Sequence, residues 1–182
     1  MMATSAGLIR AEAEHQPAAG PPPKQIVSMQ ISSILAPSAV RFATSVTSKK
    51  RLFQDLAEIA QAAYGLSATT AFDGLQERES LGPTGVGHGV ALPHARVQGI
   101  DRVIGVFVRL EKPVEFDSVD RLPVDLVFAL FAPVESGVDH LKALATVSRT
   151  LRDPSTCAKL RANEDPMALH ALLTEATTPQ TA

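Results

Sequence analysis

The run Gly85-Val-Gly-His-Gly-Val-Ala-Leu-Pro-His-Ala-Arg-Val-Gln98 holds the most informative pattern in the chain. Glycines alternate with other residues at positions 85, 87 and 89, a short apolar strand follows, and Pro93 then precedes His94. Glycine lets the backbone approach a ligand closely and lets a turn aim several N–H groups at one anion. Proline fixes the local backbone by locking φ near about −65°. The pattern therefore predicts a loop that places the imidazole of His94 beside an anion.

The chemistry that suits this placement is phosphoryl transfer to a ring nitrogen. An imidazole with an ordinary pKa of about 6.5 is neutral and nucleophilic near pH 7. The protein then has only to position the reactants and to stabilise negative charge on the transferred group. A Gly-x-Gly-x-Gly run also suits a bulge or tight turn, and a histidine after proline also occurs in ordinary loops. The motif by itself leaves these readings open.

Two further residues lie at positions that could complete an anion site. Arg78 precedes His94 by sixteen residues, and its guanidinium can grip two phosphate oxygens. His140 follows His94 by forty-six residues, where a helix should begin and its positive dipole end attracts anions. The alternatives are a solvated helix charge paired with Glu77 or Glu79, and a surface histidine in a first helical turn.

Taken in order, these residues resemble the IIA proteins of the bacterial phosphoenolpyruvate-dependent phosphotransferase system, of the mannitol/fructose type. Among these, the chain most resembles the stand-alone nitrogen-regulatory IIA proteins. The chain departs from the common pattern at His88, where relatives often carry Asn, at Ala95-Arg96 in place of Gly-Lys, and at Pro83. The matching stretches are 46–53, Arg78 with 82–85, 87–94, 104–107, 123–130 and 140–144.

The resemblance implies that Nε2 of His94 is phosphorylated and that Arg78 and His140 flank the phosphoryl group. It implies no cofactor and no metal ion. We expect the loop before His94 to add phosphate-binding contacts, and an apolar surface around His94 to admit a donor protein. The expected phosphate-binding residues are Thr84, Gly85, Gly87 and Gly89, and the expected apolar surface is formed by Val86, Val90 and Leu92.

The implied function is that of a regulatory phosphoryl carrier, a transferase component rather than a free-standing enzyme. Its donor would be an HPr-like phosphocarrier (NPr), charged by enzyme I from phosphoenolpyruvate, and its targets would include potassium transporters or sensor kinases. One alternative is a fructose- or mannitol-specific component that passes phosphate to a IIB domain. Another is a metal-dependent hydrolase built on His88, His94 and His140, because six residues of strand alternation could place His88 and His94 on one face.

Composition restricts the remaining classes. The 182 residues are 45% hydrophobic but only 4% aromatic, so one core can form and it must be aliphatic. The net charge of −2 gives no electrostatic footprint for nucleic acid. The single Cys157 excludes an internal disulfide and suits a reducing cytoplasm, with burial as its expected role. No apolar run approaches the roughly eighteen residues of a membrane span.

The hydrophobic pattern predicts an α/β fold: a single domain with a central mixed β-sheet and helices on both faces. A first helix should be capped by Thr47 or Ser48 and stopped by Gly65, and a second should span about 68–79. A short strand is expected at 90–92, and buried strands are expected at 103–110 and 124–131. A helix over 138–151 should bury Leu141, Leu144, Val147 or Ser148, and Leu151, and Pro154 and Pro166 should open two more.

Three segments follow from this pattern and from the resemblance. Residues 1–28 are rich in Ala, Pro, Glu and Gln and are expected to be a disordered extension without a secretory signal. Residues 29–177 are expected to form the IIA domain, and residues 178–182 a flexible C-terminus. Met29 begins the first patterned segment and is a candidate start of the natural protein.

Overall fold

The structure is a computed structural model that describes residues 29–176. The expected extension 1–28 and C-terminus 178–182 lie outside the described residues. Within the described range, two 3-10 turns at Ile31–Ser33 and Pro37–Ala39 lead into alternating strands and helices. In chain order these are β1 (Val40–Ala43), α1 (Lys49–Tyr64), α2 (Ala68–Ser80), β2 (Gly85–Gly87), β3 (Val90–Ala91), β4 (His94–Val97), β5 (Ile104–Val114), β6 (Val124–Pro133), α3 (Val138–Arg152), α4 (Pro154–Arg161) and α5 (Pro166–Glu175).

The strands form one mixed sheet in the order β1-β5-β6-β3-β2, with β4 also pairing with β6. The long strands β5 and β6 are antiparallel neighbours at the centre, and β1 runs parallel to β5. Strands β3 and β4 both run parallel to β6, one after the other along the same edge. The two short strands therefore act as one interrupted strand, and His94 is the first residue to pair with β6 after the interruption.

The interruption lies at Leu92 and Pro93. Val90 and Ala91 pair with the first half of β6, and pairing resumes when His94 lies opposite Leu130. The carbonyl of Pro93 still accepts a hydrogen bond from the amide of Leu130, at 2.9 Å. Pro93 has no N–H to donate, so its link to β6 is made through its carbonyl.

The core is continuous on both faces of the sheet. Every residue of β6 from 126 to 132 is buried, although alternate residues of a strand point to opposite faces. Helix α1 packs against β5, α2 against β4, α3 against β6 and α5 against β1. The expected α/β fold, a single domain with a central mixed sheet and helices on both faces, is confirmed.

Local sequence signals fix the helix ends. The hydroxyl of Ser48, rather than that of Thr47, accepts from the amide of Arg51, and Gly65 ends α1 in the left-handed conformation at φ 76°. Pro154 and Pro166 each occupy the first turn of a helix behind an aspartate cap. Cys157 is buried, as expected, and its thiol donates to the carbonyl of Leu151 at 3.1 Å.

The structure corrects the predicted inward face of α3. Leu141 is 64% exposed, whereas His140, Ala143, Val147 and Leu151 are buried. The buried stripe thus runs through the histidine, and Leu141 lies about 100° further round the helix, given the α-helical repeat. The sequence pattern also missed β1, β2 and β4, which are short and carry too few residues to show alternation.

None of the helices within residues 29–176 is long and apolar enough to cross a membrane.

Candidate functional site

His94 begins β4 and has a fixed tautomer. Its Nδ1 lies 2.8 Å from the carbonyl oxygen of Leu92. A carbonyl oxygen can only accept, so Nδ1 carries the proton and Nε2 keeps its lone pair. Burial lowers the pKa of His94 and the positive charge of Arg78 lowers it further, while the Leu92 carbonyl and Glu79 oppose the change. The ring is therefore neutral at pH 7, with a nucleophilic nitrogen available at Nε2.

His140, in the first turn of α3, lies beside His94. The two ring centroids are 5.5 Å apart and the rings are inclined at 70°. His140 is only 6% exposed, and burial, with smaller effects from His94 and Arg96, lowers its pKa to about 4. Its Nε2 is buried and has no hydrogen-bond partner within residues 29–176. A buried polar atom without a partner is costly, so this nitrogen is suited to an incoming oxygen.

Arg78 lies in the last turn of α2, and its Nη1 donates to the carbonyl of Gly82 at 3.1 Å. It joins both histidines on a cavity of about 420 Å³. The structure therefore brings together the three residues that the sequence singles out as a group. The other residues that line this cavity are Gly74, Glu77, Leu81, Ala95, Arg96, Leu141 and Leu144.

The cavity is positive overall and apolar at its rim. Arg78 and Arg96 bring two positive charges against the single negative charge of Glu77, and both imidazoles are neutral at pH 7. Leu81 is 81% exposed and Leu141 is 64% exposed. Such a site suits a doubly charged phosphoryl group delivered by a protein that docks on apolar surface.

Thr84 is not among the described residues that line this cavity. It is 5% exposed, its hydroxyl donates to Glu79 Oε2 at 2.5 Å, and its amide donates to Glu79 Oε1 at 3.1 Å. The carboxylate of Glu79 also forms a salt bridge with Lys49, whose Nζ lies 2.6 Å from Oε1. The hydroxyl that was expected to contact phosphate is thus bonded to a buried carboxylate.

The glycines belong to the β2–β3 hairpin and do not appear among the described residues that line the cavity at His94. A Cβ atom at Gly85 would lie 2.2 Å from the hydroxyl of Ser118, and one at Gly89 would lie 2.6 Å from Arg161. At Gly87 the nearest atom would be a carboxylate oxygen of Asp120, at 3.3 Å. Close packing therefore accounts for Gly85 and contributes at Gly89, while the left-handed backbone at Gly87 (φ 98°) and Gly89 (φ 77°) favours glycine at those two positions.

The expectation that Val86, Val90 and Leu92 form an apolar surface around His94 is wrong. Val90 and Leu92 are buried in the core, and the exposed Val86 lines a different cavity together with His88. The reason is that both side chains pack within the hydrophobic core, where Val90 is 1% and Leu92 is 5% exposed. The exposed apolar residues at His94 are instead Leu81 and Leu141.

The three-histidine metal site does not form either. His88 occupies the hairpin turn at φ 56°, and its carbonyl accepts from Arg161 at 2.7 Å, away from the His94 cavity. No group of three or more His, Cys, Asp or Glu side chains within the described range is arranged to hold a metal ion. The hydrolase alternative therefore lacks its ligand set.

Sequence reasoning missed Arg96 as a residue of the site. In β4, Ala95 and Val97 are buried while His94 and Arg96 face the other way. Strand alternation applied to the residues after Pro93 would have placed the guanidinium on the same face as the imidazole.

Comparisons with known proteins identify the family. A family model described as "Phosphoenolpyruvate-dependent sugar phosphotransferase system, EIIA 2" matches residues 33–176. A nitrogen regulatory protein of Bradyrhizobium diazoefficiens is 45% identical over 145 residues, which cover 80% of this chain and 95% of that protein. That of Escherichia coli K12 is 36% identical over 149 residues, with 81% and 91% covered.

Among solved structures, the nitrogen regulatory protein IIA-Ntr of Neisseria meningitidis superposes with a TM-score of 0.73 at 35% identity, covering 79% of this chain and 99% of that one. The mannitol IIA protein of Escherichia coli shares the fold, with a TM-score of 0.64 at 20% identity over 76% of this chain and 97% of its own. The family match spans most of the chain, and the relatives exceed 30% identity over four fifths of it. The chain belongs to the EIIA type-2 family of the phosphoenolpyruvate-dependent phosphotransferase system.

Proposed function

We propose that this protein accepts a phosphoryl group on Nε2 of His94 from the phosphohistidine of an HPr-like carrier, the NPr of the nitrogen branch, itself charged by enzyme I. The observation that supports this most directly is the hydrogen bond from Nδ1 of His94 to the Leu92 carbonyl, which leaves the lone pair on Nε2. The phosphate-binding roles of Arg78, His140, Thr84, Gly85, Gly87 and Gly89 stay predictions.

The transfer needs no proton to move. The Nε2 lone pair attacks phosphorus in line, the P–N bond of the carrier breaks, and its electron pair returns to the carrier's ring nitrogen. The proton of His94 stays on Nδ1 and remains hydrogen-bonded to the Leu92 carbonyl, which stabilises the positive charge that phosphorylation brings to the ring. In this proposal Arg78 and Arg96 supply positive potential, and the buried Nε2 of His140, carrying the proton of the neutral ring, donates to a phosphoryl oxygen.

The carrier's histidine must reach a half-buried ring, so the two proteins have to pack closely. The exposed Leu81 and Leu141 on the two sides of the cavity suit such an interface. In this proposal the carrier docks on these side chains before the phosphoryl group moves.

We further propose a regulatory role in the cytoplasm, in which targets such as potassium transporters or sensor kinases distinguish the phosphorylated form from the free form. The phosphoryl group carries about −1.5 to −2 charges, so phosphorylation removes the net positive charge of the cavity even though the ring becomes positive. The similarity to proteins named nitrogen regulatory protein supports this role. The alternative is transfer onward to a IIB domain, as in the solved complex of mannitol IIA with phosphorylated IIB of Escherichia coli, which shares only the fold.

The test is the intact mass of the protein after incubation with phosphoenolpyruvate, enzyme I and the HPr-like carrier. We expect one acid-labile phosphoryl adduct in the wild type and none in His94→Ala. His88→Asn is the matched control, because it alters a histidine outside the cavity. Absence of an adduct from the wild type would refute the proposal, and onward transfer to a purified sugar-specific IIB domain would favour the alternative.

A further inference from the structure

A continuous series of hydrogen bonds runs from the start of α1 to the ring of His94. Lys49 Nζ lies 2.6 Å from Glu79 Oε1, and Thr84 donates to both oxygens of that carboxylate, at 3.1 and 2.5 Å. The carbonyl of Thr84 accepts from the amide of Leu92 at 3.0 Å. The carbonyl of Leu92 accepts from His94 Nδ1 at 2.8 Å. Five residues from three regions of the chain are thus joined in sequence.

The centre of this series is buried. The Glu79 side chain is 8% exposed, and Thr84 and Leu92 are each 5% exposed. The two ends of the series reach solvent, at Lys49, with 23% of its side chain exposed, and at the half-buried His94. A carboxylate in such a place is tolerated only when donors compensate for its lost hydration. Glu79 has three such donors, so its position and theirs are coupled.

Two adjacent residues of α2 hold the loop that leads into β2. Glu79 binds both the amide and the hydroxyl of Thr84, and Arg78 binds the carbonyl of Gly82. The loop is consequently tied to the helix at two points, and the guanidinium of Arg78 is tied to the same loop. A shift of Thr84 would therefore move Arg78 and, through Leu92, His94.

The series transmits position rather than charge. The N–H and C=O groups of Leu92 that take part belong to different peptide units, so conjugation does not continue through the residue. Glu79 also acts on His94 through space, because its charge raises the pKa of that ring. The other charged or titratable groups that face or line the site are Glu77 and Arg78 from α2, His140 from α3 and Arg96 from β4.

We infer that Glu79, clamped between Lys49 and Thr84, is a positioning residue that holds the nucleophile and Arg78 in the geometry for phosphoryl transfer. Nothing in this arrangement requires Glu79 to touch the phosphoryl group. The inference rests on the proposed function, because the geometry it explains is that of the transfer.

The first test is the single-turnover rate of phosphoryl transfer from the phosphorylated HPr-like carrier, measured over a range of carrier concentrations. Glu79→Gln keeps the size of the side chain but replaces one acceptor oxygen with a donor. We expect its maximal rate to fall by about 10- to 100-fold, as misplacement of reacting groups typically costs. The half-saturating carrier concentration should stay unchanged, because the docking residues Leu81 and Leu141 lie on the cavity rim.

A conservative pair separates positioning from general damage. Thr84→Ser keeps both donors to Glu79 and should retain the wild-type rate, whereas Thr84→Val removes the hydroxyl donor and should be slow. Glu58→Gln, an exposed glutamate of α1, is the control for loss of a negative charge. Circular dichroism and urea unfolding identify any variant whose slow transfer reflects lost folding.

The second readout does not depend on phosphoryl transfer. Two-bond ¹H–¹⁵N correlations of the imidazole report which nitrogen of His94 carries the proton. We expect a single Nδ1–H tautomer in the wild type and a mixture in Glu79→Gln. A folded Glu79→Gln variant with the wild-type tautomer and the wild-type maximal rate would overturn the inference. A variant that changes only the half-saturating carrier concentration would overturn it as well. If the wild type accepts no phosphoryl group, the proposed function fails and the tautomer comparison alone decides the positioning role.

Discussion

The buried imidazole of His140 should make the protein less stable in acid by an amount that the structure sets. Burial lowers the pKa of His140 from its ordinary 6.5 to about 4 in the folded protein. In the unfolded chain the ring is exposed to water and recovers the ordinary value. Between these two pKa values the unfolded state binds a proton that the folded state does not, so stability falls as the pH falls.

The magnitude follows from the gap between the two pKa values. The contribution of the neutral ring is fully present above pH 6.5 and is lost progressively as the pH falls to about 4. Each pH unit within the window corresponds to about 1.4 kcal/mol, so the whole window is worth about 3.4 kcal/mol. At pH 5 the loss from this one residue should be about 2 kcal/mol.

The assay is urea unfolding of the wild type and of His140→Gln at pH 7.5 and pH 5. The neutral amide of glutamine has no proton to gain, and all other groups titrate in both proteins. We expect the wild type to lose about 2 kcal/mol more than the variant between the two pH values. An NMR titration of the folded wild type should place the midpoint of His140 near 4.

Equal losses in the two proteins would refute the reasoning. Such a result would mean that the ring of His140 gains its proton at the same pH in the folded and unfolded states. An NMR midpoint near pH 6.5 would show that the folded protein does not lower the pKa of His140. The relation between the pKa difference and the pH dependence of stability would then still hold.

Three further perturbations have defined outcomes. Gly85→Ala should lower the free energy of unfolding in urea by about 1–3 kcal/mol, because its Cβ would lie 2.2 Å from the hydroxyl of Ser118. The added change Ser118→Gly should recover part of this loss, and no recovery would contradict the packing argument. Arg161→Gln should lower the free energy of unfolding by about 1–3 kcal/mol, because it removes the ion pair in which Nη2 lies 2.9 Å from Oδ1 of Asp125. If the loss is the same in the Asp125→Asn background, the ion pair is not its source. Leu141→Asp should raise the half-saturating concentration of the phosphocarrier by about tenfold while leaving the urea midpoint unchanged, because the side chain is 64% exposed; wild-type kinetics would exclude it from the docking surface.

The elements that sequence predicted best are those specified by nearby residues. Ser48 and Gly65 delimit α1, and Pro154 and Pro166 open the last two helices, because capping and proline geometry act within one turn. The apolar runs of β5 and β6 were recognisable because a strand buried on both faces is apolar throughout. Short strands such as β4 depend on pairing with a distant strand and leave no pattern of their own.

The site shows the same division. Arg78, His94 and His140 each carry chemistry suited to an anion, and the resemblance to the IIA family is what assigned them to one site. The roles of Thr84 and Gly85 in the fold could not be read, because their partners, Glu79 and Ser118, are chosen by how separate segments pack.

What the sequence by itself determined is the chemistry that is available: a histidine after a fixed backbone, a second histidine, an arginine, and enough apolar residues for a core that one domain can bury. The expected aliphatic core also contains phenylalanines, since Phe107, Phe116, Phe128 and Phe131 are among its largest fully buried side chains. Only the tertiary structure decided which groups face the cavity. It turned His140 inward and Leu141 outward on α3, and it placed Arg96 beside His94. The reason is physical: capping, turns and periodicity are local interactions, whereas burial, pKa values and hydrogen bonds across elements depend on contacts between residues that are far apart in the chain.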